Sequence, residues 1–85
     1  QLHTALDYYV RAAAMQLADG DMPSWLQSLN AQAVTYDRLG QSEKAEALYR
    51  QAIAVAARDR LERISVFLQA NLAASLLSAG RFAEA

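Results

Sequence analysis

Eighty-five residues, balanced as eight basic against nine acidic side chains for a net charge of −1, make one small unit with a thin core unless another surface extends it. Neither sign forms a block, so neither nucleic acid nor an anionic membrane is expected as a partner. The chain has no cysteine, which excludes disulfides, thiol catalysis and cysteine-based zinc sites, and it has no run of about eighteen apolar residues to span a bilayer.

The start, Gln1-Leu2-His3-Thr4, lacks the basic-then-apolar layout of a signal peptide. Cysteine usage leaves the compartment open, and a cytoplasmic location is the expectation. An initiator Met is missing and Arg81 to Ala85 restart a pattern seen earlier, so a piece of a longer chain is expected.

Taken in order, Leu2, Ala5, Leu6, Tyr9, Ala12, Ala13 and Leu17 return at steps of three and four, which predicts a first helix over 2–18 with these residues inward. Asp19-Gly20-Asp21-Met22-Pro23-Ser24 ends it, because Gly accepts a left-handed C-terminal position and Pro is tolerated in a first turn. A second helix therefore starts near Pro23, carries Leu26, Leu29, Ala33, Tyr36 and Leu39 on one face, and stops at Gly40. Ser42 and Glu43 open a third helix, to about Arg58, with Ala45, Leu48, Tyr49, Ala52, Ile53 and Ala56 inward. Asp59 and Glu62 have capping-box spacing, which predicts a fourth helix with Leu61, Ile64, Leu68, Leu72, Leu76 and Ala79 buried. Gly80 ends it and Phe82 to Ala85 begin a fifth. Nothing alternates with period two, so the fold class is all-α, and the short links make neighbouring helices antiparallel.

The pattern also repeats. A shift of forty residues carries Ala45, Tyr49, Ala52, Ala54 and Asp59 back onto Ala5, Tyr9, Ala12, Ala14 and Asp19, and Ala33 and Gly40 forward onto Ala73 and Gly80. The matched residues are mostly small or aromatic, the sizes that close helix packing fixes. With nineteen alanines in the chain, burial comes from many short contacts, so Tyr9, Trp25, Tyr36 and Tyr49 should each matter disproportionately.

Ala33, Tyr36, Leu39-Gly40, Ala45, Tyr49 and Ala52, then Asn71-Leu72-Ala73, Leu76, Gly80, Phe82 and Ala85, resemble the tetratricopeptide repeat, a helix-turn-helix unit of 34 residues. Residues 1–18 resemble the second helix of a preceding copy, residues 23–58 a full repeat, and residues 60–85 the start of the next. The period of forty and the missing closing Pro, whose place Leu17 and Ala57 take, match the long variety of the repeat. Gln69 and Gln32 depart from the pattern, standing where it prefers apolar side chains. The resemblance implies an α-solenoid of stacked antiparallel helices, serving as a superhelical sensor, docking or adaptor region of a larger signalling or transcription-regulating protein.

The resemblance also places ligand-facing positions on the first helix of each unit, here Gln27, Asn30, Ala31, Val34, Asp37 and Arg38, then Phe67, Ala70, Asn71, Ala74, Leu77 and Ser78. Of these Gln27, Asn30, Asp37, Arg38, Phe67 and Asn71 are the expected partner-binding residues on the concave face. Relatives that grip a peptide carboxylate need Asn where Val34 and Ala74 stand, which argues against that grip. The Asn71 amide either meets a ligand backbone, or only bonds within its own helix pair or meets water. A polar first unit and an apolar second, with Phe67 and Leu77, imply a groove wet at one end and apolar at the other.

His3 has only Asp7 within sequence reach as a partner, so an exposed histidine is the simpler reading than a metal or catalytic one. Asp19, Asp21, Glu43 and Glu46 are explained by helix ends, and no phosphate loop, nucleophile elbow or calcium loop is present. The expectation is a noncatalytic interaction module with no cofactor or metal, binding a protein or peptide. The alternative is a structural repeat that self-associates as a homo-oligomer or packs within its own chain.

Overall fold

Each joint of the chain closes by the same backbone device, which fixes the architecture. The computed structural model describes residues 2–80, and within them four helices of 17 residues begin twenty residues apart. They are α1 (Leu2–Ala18), α2 (Met22–Arg38), α3 (Ser42–Arg58) and α4 (Glu62–Ser78), with no strand among the described residues. The forty-residue sequence period is thus two steps of helix plus three-residue turn. The fifth helix expected at Phe82 to Ala85 lies outside the described residues.

In each of the three joints the last turn residue donates its N–H five residues back: Asp21 to Gln16 at 2.9 Å, Gln41 to Tyr36 at 2.9 Å and Leu61 to Ala56 at 2.8 Å. This Schellman geometry needs a left-handed residue just before the donor. Gly20 and Gly40 supply it at φ 74 and 77. At the third joint the slot holds Arg60, at φ 58, where a Cβ is sterically costly.

The same turn overturns the expected capping box. Asp59 belongs to the end of α3, where its carboxylate accepts from Arg58 Nε at 2.9 Å, and the N-cap of α4 is Leu61, with no side-chain cap. Ser42 is likewise inside α3, behind an uncapping Gln41. Asp21 does cap α2, accepting the Ser24 N–H at 3.3 Å, with Pro23 in the first turn as expected.

Consecutive helices pack against each other, α2 also touches α4, and α1 reaches neither α3 nor α4. In cross-section α2, α3 and α4 form a triangle, with α1 laid on α2 alone. The triangle closes over small residues: Ala33, Ala45, Ala52 and Ala56 are completely buried, and Leu26, Leu68 and Leu76 are the largest side chains fully enclosed with them. Tyr49 and Trp25 are buried as expected, while Tyr9 and Tyr36 are half-buried. Leu17 and Ala79 were expected inward but are exposed. Leu17 sits in the last turn of a helix with one neighbour, and Ala79 lies beyond the end of α4.

The α1–α2 seam is more polar than periodicity suggested. Gln32 is buried and its Nε2 donates to the Tyr9 carbonyl, which explains a Gln where the repeat prefers an apolar residue. Ser28 and Gln16 meet at 2.6 Å.

The joints make a direct test. Arg60→Gly is expected to stabilise the chain by about 1 kcal/mol, and Gly40→Ala to destabilise it by a similar amount, since the Cβ meets open space and only backbone conformation changes. Urea unfolding of both variants checks this.

Candidate functional site

The α2–α4 contact leaves a groove, and its lining follows from helical spacing: residues three and four apart on each helix face the same way. Toward the N-terminal ends of the two helices is a recess of about 230 Å³, formed by Leu26, Gln27 and Asn30 with Arg63, Ile64, Phe67 and Leu68. Toward the C-terminal ends is a second, of about 540 Å³. Its walls are Val34 and Asp37 from α2, Asn71, Ala74, Ser75 and Ser78 from α4, and Ser42 and Tyr49 from α3. The two helices therefore run in the same direction along one groove.

Between the recesses Asn71 Nδ2 donates to Asn30 Oδ1 at 2.8 Å. This bond links α4 to α2, outside the helix pair expected for Asn71. Asn30 Nδ2 and Asn71 Oδ1 have no hydrogen bond to a described residue, which leaves one donor group and one acceptor at mid-groove. One register further on, Ser75 Oγ donates to Asp37 Oδ1 at 2.9 Å.

Of the expected residues, Gln27, Asn30 and Phe67 thus share the first recess and Asp37 and Asn71 the second. Arg38 is exposed and lines neither, because it directly follows Asp37 and points a helical step away from the groove. The groove is apolar at one end and polar at the other, as expected, but the two regions succeed each other along the helices, so α2 and α4 each contribute to both. Arg63 and Ser75 also line the recesses, each standing four residues, one helical turn, from an expected residue, Phe67 and Asn71. Tyr49 was assigned to the core and does belong to it, but it also floors the polar recess.

Tyr49 is only 2% exposed, and its hydroxyl has no hydrogen bond to a described residue. Burial, and secondarily the Asp37 carboxylate, push its pKa above the ordinary phenol value. Elsewhere His3 is exposed, Asp7 pairs with Arg11 at 3.2 Å, and Glu46 pairs with Arg50 at 2.7 Å. Among the described residues no three His, Asp or Glu side chains gather as a metal site. No described helix is long and apolar enough to cross a membrane.

Compared with protein-family models, curated proteins and solved structures, the chain matches none.

The folded state holds the Tyr49 proton more tightly than the unfolded chain does. The resulting stabilisation is complete below the unfolded phenol pKa of about 10 and is lost as pH rises through the raised value. Tyr49→Phe is therefore expected to keep stability within about 1 kcal/mol at neutral pH, because it removes a hydroxyl without a protein partner, and to flatten the alkaline loss. Tyr49→Ala is expected to lose about 3–5 kcal/mol. Unfolding midpoints against pH read both.

Proposed function

We propose that this chain is a noncatalytic helical-repeat module of the tetratricopeptide kind, stacked as a solenoid, that binds a peptide or protein segment in the α2–α4 groove. Such a module serves as the adaptor or regulatory part of a larger protein. The observation that carries the reading is the groove itself: an apolar recess and a polar recess on one line, with free amide groups of Asn30 and Asn71 between them. An extended peptide offers the complement, with backbone groups for the amides and alternate side chains for the recesses. The sequence resemblance, with its ligand positions on first helices, supports the same face.

A second reading rests on α4, which is apolar nearly all round. Leu68, Leu72 and Leu76 are buried while Val66 and Leu77 stay about two-thirds exposed, a pattern suited to a helix covered on more sides than α3 and α2 provide. A second copy, or a further helix of the same protein, would cover it.

Peptides selected against the chain from a random library separate the two. Under the groove reading Phe67→Ala and Asn71→Ala each weaken binding about tenfold or more with helicity unchanged, and the chain sediments as a monomer. Concentration-dependent assembly abolished by Val66→Glu, with no selected peptide sensitive to the groove variants, would move the function to self-association.

A further inference from the structure

The polar recess has a particular chemistry. Among the described residues Asp37 is its only carboxylate, it is half-buried, and no cation of a described residue pairs with it. The nearby basic side chains are engaged or placed elsewhere. Lys44 lies over the Tyr36 ring at 5.5 Å, and Arg38 is outside the recess. Tyr49 adds a buried hydroxyl with no described partner, and Asn71 adds a free amide oxygen. A phenol enclosed to this degree normally has a hydrogen-bond partner, so a group seated in the recess has the Tyr49 hydroxyl to bond. Asp37 and the Asn71 amide oxygen only accept, and the hydroxyls of Tyr49, Ser42 and Ser78 can accept as well as donate, beside one negative charge.

We propose, resting on the groove reading above, that the polar recess holds the ammonium group of a lysine side chain in the bound peptide, with Asp37 as counter-ion and Asn71 Oδ1 and Tyr49 Oη as further acceptors. An ammonium brings three donors and no acceptor, which fits this set. Lysine fits better than arginine, because Ser75 already occupies one Asp37 oxygen and hinders the two-point grip a guanidinium favours.

The geometry also sets a spacing. Phe67 and Ser75 are eight residues apart on α4, about 12 Å at 1.5 Å per residue. An extended peptide advances about 3.3 Å per residue, with same-side chains at even spacings, so about four residues separate the lysine from an apolar residue seated at Phe67.

The test uses the whole chain and short end-capped peptides carrying Leu and Lys four residues apart, in both orders, with counterparts in which the lysine is acetylated. Binding is followed by amide NMR titration. The expected result is that one order binds with shifts at both recesses, that acetylation weakens it tenfold or more, and that Asp37→Asn weakens the lysine peptide similarly but leaves the acetylated one unchanged. Tyr49→Phe weakens the lysine peptide severalfold while folding normally. If lysine and acetyl-lysine peptides bind the groove equally, the ammonium proposal is overturned and the groove reading survives. If neither the lysine peptides nor library-selected peptides shift groove residues, both fail.

Discussion

The structure depends on how closely α3 can approach α2 and α4. Ala45, Tyr49, Ala52 and Ala56 form the buried edge of α3, and three of these four side chains are a single methyl. Small side chains on facing helices bring the axes together, so dispersion contacts accumulate without large rings, and the one large residue on the edge fills the space left between α2 and α4. The repeated three-residue turns hold this contact in phase. Each adds the same reversal, so the helices start at twenty-residue intervals and keep a constant length.

The groove is a consequence of that closeness. With α3 pressed into one side, α2 and α4 meet directly on the other, near enough for Asn30 and Asn71 to share a hydrogen bond across forty-one positions of sequence. The Ser75–Asp37 bond repeats the link further along. These bonds tie the two walls together and divide the groove into its apolar and polar parts. Tyr49 connects core and groove in one side chain, its ring in the seam and its hydroxyl at the floor of the polar recess.

Helix existence and the inward edge of α3 were legible in the sequence, because both rest on local periodicity and on glycines at the joints. Every residue expected inward on α3 is buried or half-buried. What local pattern could not supply was anything requiring two helices at once. Asp59 and Glu62 have the spacing of a cap, but the Schellman turn of α3 consumes Asp59 first. Gln32 and Ser75 carry no local signal of burial, which follows only from their partners on other helices, the Tyr9 carbonyl and Asp37. Five of the six expected partner-binding residues line the two recesses, since a helix face is periodic, and Arg38 lies one step out of phase with them. The division into recesses depends on the vertical register of α2 against α4, which sequence spacing alone does not fix.

The close seam is the claim on which the rest stands, and one comparison on α3 tests it most directly. Ala52 is completely buried and Ala54, two residues on, is exposed. Urea unfolding of Ala52→Leu should show a loss of about 1–3 kcal/mol from overpacking, whereas Ala54→Leu should stay within about 0.5 kcal/mol of the parent. Equal, small effects at the two positions would contradict a seam set by alanine contact.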